Sequence, residues 1–172
     1  MRPTLLSSCA RAATAAEAQF RIDYPEAAVR SSRVIALDEG AAGRVRSLAG
    51  QHWLGGRFLV FDHLVSADGS PGAPADAVLR DAAGTGTLLS AELDGADVAV
   101  MVATSAVAAD AASVIGDACA LRRIMSAAFV LGEAAAPGEV RDVVAALRPN
   151  AMVLAVLKSG DDVPEILRAL RV

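Results

Sequence analysis

The chain has 172 residues, 54% hydrophobic and 21% charged, which suits one globular domain with a real core and excludes a disordered chain. Aromatics make up only 3%, the formal net charge is −4, and Lys158 is the single lysine among scattered arginines. Neither aromatic platforms for stacked bases nor a basic stripe for nucleic acid is therefore expected.

Two cysteines, Cys9 and Cys119, and two histidines, His52 and His63, make no CxxC or HxxxH spacing. No metal site is expected, Cys119 reads as a buried structural thiol, and a reducing cytoplasm fits. No apolar run approaches the ~20 residues of a membrane span.

Residues 1–31 read as an N-terminal arm, and residues 32–172 as a single α/β domain. "LLSSCARAATAAEAQF" has helical propensity from its alanines but a weak apolar stripe, and Pro25 breaks the residues after it. "LSSC" imitates a lipoprotein cleavage box, with too few residues before Cys9 for a signal peptide. The acid-poor start also imitates an import peptide. The arm is expected to pack loosely, or to be a docking peptide for a partner chain.

From Arg33 the pattern changes. "RVIALD" (33–38) is a short apolar strand ending in acids, and "EGAAGRVRSLAGQ" (39–51) a turn and helix with Val45 and Leu48 inward. "GGRFLVFDHLV" (55–65) supplies a strand over Phe58 to Phe61, closing a βαβ unit. "SADGSPGAPAD" (66–76) is a loop, long enough to serve as a lid. Residues 77–96 read as a short helix, a "GTGT" turn (84–87) and a second helix from 87 to 94.

"DVAVMVATS" (97–105) is a strand of the kind buried on both faces of a parallel sheet. A helix over 106–124 comes next, with Val107, Ala111, Val114, Ala118 and Leu121 as its apolar stripe. "MSAAFVLG" (125–132) is a strand, 137–150 a helix with Val140, Val143, Val144 and Leu147 inward, and "AMVLAVLKSG" (151–160) a buried-type strand. A closing helix over 161–172 is capped by Asp161 or Asp162, with Pro164 in its first turn. The whole predicts a three-layer, Rossmann-like α/β domain with a mostly parallel sheet of about five strands.

Ligands of such sheets bind beyond the carboxyl ends of the strands, where the strand order reverses. That rule selects Asp38, Glu39, Gly40 and Gly43 after the first strand, Asp62 and His63 after the second, and Thr104 and Ser105 after the third. It also selects Gly132 and Glu133, then Ser159, Gly160 and Asp161. "LDEGAAGRV" (37–45) lacks GxGxxG, and no GxxxxGK[ST] occurs. Asp38 and Glu39 would set negative charge against a phosphate unless Mg²⁺ lay between them, and they equally suit an acidic helix start. Asp62 and His63 are the candidate catalytic pair for proton transfer. Ser105 could be a nucleophile, but a helix cap is its commoner use, and no GxSxG occurs.

Three segments together, "VIALDEGAAGRVRSL", "WLGGRFLVFD" and "ELDGADVAVMVATSAVAADAASVIGDACALRRIMSAAFVL", lie within residues 33–131. In that order they resemble the nucleotide-binding half of the FtsZ/tubulin superfamily. The resemblance implies a nucleotide-binding fold, with GTP or another nucleotide and Mg²⁺ as cofactor, held by Asp38, Glu39, Gly40, Gly43, Asp62, Thr104 and Ser105. It departs at the glycines. The first loop is Asp38-Glu39-Gly40-Ala41-Ala42-Gly43, not nearly all glycine, and the family's GGGTGTG signature has no counterpart between Thr104 and Ala109. The family's second half, with its acidic catalytic loop, is not among these residues, so neither GTP hydrolysis nor tubulin-like polymerisation is implied.

The expected function is a non-catalytic or weakly catalytic module derived from a nucleotide-binding fold. It would be an accessory or assembly subunit or a small-ligand sensor, as a homo-oligomer or with a partner protein, binding a nucleotide or small anion. The alternative is a small nucleotide-dependent enzyme or transferase using Asp38, Glu39 and Asp62 with His63.

Overall fold

A computed structural model describes residues 28–66, 75–133 and 138–172. Most of the arm, the tip of the 66–76 loop and the approach to the helix expected from 137 lie outside the described residues.

Apolar runs become strands where both faces of a sheet can cover them. Strand β1 (Ser32–Ala36) is buried at all five positions and β5 (Val98–Ala103) at all six. The other strands are β2 (Gly56–Ser66), β3 (Ala75–Arg80), β4 (Gly86–Leu88), β6 (Met125–Leu131) and β7 (Val153–Leu157). The sheet order is β4-β3-β2-β1-β5-β6-β7; β2, β1, β5, β6 and β7 run parallel, and β3 and β4 extend the β2 edge antiparallel. The helices are α1 (Glu39–Ala49), α2 (Leu89–Leu93), α3 (Ala109–Arg122), α4 (Glu139–Leu147) and α5 (Val163–Ala169).

Side chains alternate across a strand, so the sheet buries two cores. Ile35, Leu59, Met101 and Val130 share one core with Leu93 of α2, Ile115 of α3 and Val143 of α4. Val34, Val100, Val102 and Phe129 share the other with Val45 of α1 and Leu167 of α5. Small residues bring layers close: a Cβ at Gly116 in α3 would press on the backbone of Asn150, in the 3₁₀ turn after α4. One buried ion pair ties the start of β1 to α2. Arg33 Nε lies 3.2 Å from Glu92 Oε2 and donates to the Glu92 carbonyl at 2.7 Å, while Arg57 reaches Glu92 Oε1 at 2.8 Å. Among the described residues no helix is long and apolar enough to cross a membrane.

Several expectations are corrected. The sheet has seven strands, not about five, because residues 75–88 form a hairpin where the sequence predicts a helix and a break. The leucine spacing that suggests helices is met otherwise: Leu79 is buried in β3, and Leu89 and Leu93 lie one turn apart on α2. The "GTGT" segment forms the hairpin tip and β4. Gly84 takes φ +83°, and Asp81 Oδ1 accepts from Ala83 N and Thr85 N.

β2 runs on through Ser66, so Asp62 and His63 lie within a strand rather than beyond its end. The stripe of α3 is rotated. Val107 and Leu121 are exposed, and Ala111, Ala112, Ile115, Gly116 and Cys119 face inward, because that is the face the sheet and α4 cover; Val107 falls in a 3₁₀ turn over Ala106–Ala108 ahead of the helix. β7 is an edge strand with Val153 and Val156 exposed, not a fully buried one. Neither Asp161 nor Asp162 caps the last helix with its side chain; Ser159 Oγ accepts from Asp161 N at the turn before it. Cys119 is free and buried as expected, and burial pushes its thiol up to about 11.

Candidate functional site

The strand order reverses at β1, whose neighbours β2 and β5 are reached by connections of different kinds: α1 leads to β2, and β5 comes after the hairpin and α2. The crevice between the carboxyl ends of β1 and β5 is therefore where this architecture presents its helix starts and free N–H groups to a ligand. Residues Asp38, Gly40, Thr104 and Ser105 meet there.

Asp38 sits at the N-cap of α1 with extended backbone (φ −141°, ψ 167°), and its Oδ1 accepts from Ala41 N at 2.9 Å. The same carboxylate crosses to the turn after β5. Oδ2 accepts from Thr104 N at 2.7 Å and Ser105 N at 3.0 Å, and Oδ1 accepts from the Thr104 hydroxyl at 2.6 Å. One internal carboxylate thus takes four donors, in the manner of a bound anion. Gly40 permits this fit, since a Cβ there would collide with Thr104 Oγ1. A Cβ at Gly43 would meet open space, so Gly40 carries the packing role of this loop and Gly43 does not. Ser105 is extended at the start of the 3₁₀ turn, but its side chain makes no capping hydrogen bond.

The other candidate acids are paired with arginines. Glu39 meets Arg46 at 3.0 Å, on the surface. Asp62 meets Arg80 Nη2 at 2.6 Å and His63 Nδ1 at 3.2 Å. The Arg80 hydrogen bond, chiefly, holds the Asp62 carboxyl below the usual carboxylate range. A carboxylate held in its charged form in this way is a poor general base near neutrality.

Glu133 accepts from Gly160 N at 2.8 Å and pairs with Arg44 at 2.8 Å, and Arg44 also reaches Asp161 at 3.1 Å. The Gly160 N–H first, then Arg44, lowers the Glu133 pKa, while Glu133 in turn raises that of Arg44.

Glu39 and Asp62 do come together, lining a cavity of about 190 Å³ with Arg46, Arg80 and Asp81. His63, Asp38, Thr104 and Ser105 are not part of that lining. Among the described residues no cluster of three or more His, Cys, Asp or Glu could hold a metal ion. Sequence reasoning misses the arginines. Arg44 and Arg46 sit on the exposed turns of α1, and Arg80 ends a strand in a segment whose pattern suggests a helix.

No family model, curated protein or solved structure matches this chain.

Proposed function

We propose that this chain is a non-catalytic or weakly catalytic module of three-layer, Rossmann-like design, derived from a nucleotide-binding fold of the FtsZ/tubulin kind. It acts in the cytoplasm as an accessory or assembly subunit, or as a small-ligand sensor. The observation that carries this reading is Asp38. Its carboxylate holds the N–H groups of Thr104 and Ser105 that a phosphate would need. A second anion there would face the Asp38 carboxylate at contact distance. The pairing of Glu39, Asp62, Glu133 and Asp161 with arginines supports the same reading, because an acid already paired with a guanidinium has less charge to offer a catalytic Mg²⁺.

Association with a second copy or a partner chain is supported by the two unlike edges of the sheet. β4 spans only three residues, whereas β7 carries no charge or proline and leaves Val153 58% and Val156 49% exposed. An apolar edge of that kind is normally covered or blunted.

Thermal unfolding with GTP, GDP, ATP and NAD, each with Mg²⁺, tests the proposal. A ligand of the folded state at one hundred times its Kd adds about 2.7 kcal/mol. The expected result is no shift with any of them. A saturable shift with one overturns the reading and favours the nucleotide-dependent enzyme built on Asp38, Glu39, Asp62 and His63.

A further inference from the structure

A cavity lies at the opposite end of the molecule, beside the start of β2 and the last turn of α5. It encloses about 660 Å³, a volume typical of small-molecule sites. Val29, Leu54 and Val172 give it apolar walls, and Leu54 is 73% exposed. Trp53 lines it as well. Its indole N–H donates to the Leu48 carbonyl at 2.7 Å, and its ring meets Phe58 at 5.2 Å between centroids.

The charged side chains lining this cavity, Arg168 and Arg171, are both cationic. The Arg168 guanidinium lies 5.4 Å from the Trp53 ring centroid and donates to Gln51 at 3.2 Å. Arg171 and His52 complete the lining, and no Asp or Glu among the described residues contributes to it. Among the described residues neither Arg168 nor Arg171 has an ion-pair partner.

Arg171 is also held in a conformation that favours glycine, with φ 64°. It occupies the left-handed position of a helix stop, with Arg171 N bonded to the Arg168 carbonyl at 3.0 Å and Val172 N to that of Leu167 at 3.2 Å. The Arg171 carbonyl accepts from Arg30 N at 3.1 Å, which fixes the turn against the strand entrance. A long cation thus stands where glycine would sit without strain.

We infer that this cavity binds a hydrophobic monocarboxylate with a planar ring. The ring lies against Trp53 and the apolar walls, and the carboxylate is held by Arg171 and Arg168. The charge of the lining selects the anion, and guanidinium with indole selects the flat body. The site is separate from Asp38; the inference rests on the sensor branch of the proposed function and gives it a ligand class.

Trp53 is the only tryptophan of the chain, so its emission reports on this cavity alone. The full chain is titrated with phenylacetate, and with phenylacetamide as the neutral isostere. Support is a saturable change with phenylacetate, binding about tenfold weaker for the amide, and a similar loss in Arg171→Gly, whose Tm stays equal or rises. Arg168→Gln serves as a second variant with the same expected loss. No saturable change, equal affinity for the amide, or unaltered binding in both variants overturns the inference. Any of these leaves the reading of Asp38 untouched, since the nucleotide panel decides that one.

Discussion

Replacing Asp38 by alanine removes four hydrogen bonds with one substitution. A hydrogen bond to a charged group contributes about 1.5–3 kcal/mol when isolated, and the helix cap is worth about 1. Neighbouring bonds that share one carboxylate do not add, and Asp38 is only half-buried. The loss should then be about 3 kcal/mol, a fall in Tm of roughly 6–12 °C for a chain of this size. Asp38→Asn keeps the shape but turns its amide toward donors, and should cost about 2 kcal/mol. Unfolding in urea and by heat, monitored by circular dichroism, measures both. A second arm is more specific. With the carboxylate gone, the N–H groups of Thr104 and Ser105 are free, so phosphate or pyrophosphate should stabilise the alanine variant and leave the native chain unaffected. The reasoning is refuted if the alanine variant stays within about 1 kcal/mol of the native chain and ignores phosphate. It is equally refuted if phosphate stabilises both alike.

Glu92→Ala leaves Arg33 buried without its carboxylate and should cost about 3–5 kcal/mol, whereas the paired change Arg33→Met with Glu92→Leu should recover most of it; urea midpoints decide. Gly40→Ala drives a Cβ into Thr104 and should destabilise by about 1–3 kcal/mol, while Gly43→Ala, with open space around it, should stabilise α1 by about 0.5–1 kcal/mol. Equal effects of the two glycine changes would show that the approach of α1 to Thr104 is not close. Glu133 and Asp62 have folded pKa values below their ordinary 4.5 and 3.8. Their contribution is therefore present above those values and is lost as pH falls through the lower folded ones. The urea midpoint at low salt should drop on the acid side below about pH 4.5, and Glu133→Gln should flatten that limb; an unchanged limb contradicts the pairing with Gly160 and Arg44.

The α/β class and the mostly parallel sheet are legible in the sequence because β1, β5 and β6 are built on the apolar runs 34–37, 98–103 and 127–131. A run of that kind is stable only between two covering layers. Val45 and Leu48 are legible for a similar local reason, as one face of α1. The hairpin of β3 and β4 is not, since its few leucines fit a helix and a strand alike. The long edge of β2 settles the choice by offering Ala75–Arg80 a ladder to join. Residues 106–108 tighten into a 3₁₀ turn that leaves Val107 in solvent, and the face that α3 lays on the sheet leaves Leu121 out as well.

The site divides in the same way. Asp38 is visible as a helix start and Thr104 as a strand end, because both are local features. That one carboxylate satisfies both turns depends on β1 lying beside β5, across 66 residues of chain. The arginine partners of the candidate acids and the cavity at Trp53 likewise join segments remote in sequence. Local composition by itself determined most of the elements and their covered faces, through propensity and periodicity. Only the tertiary structure decided which charges meet, because pairing energy depends on distance and solvent exclusion, and neither exists until the layers close.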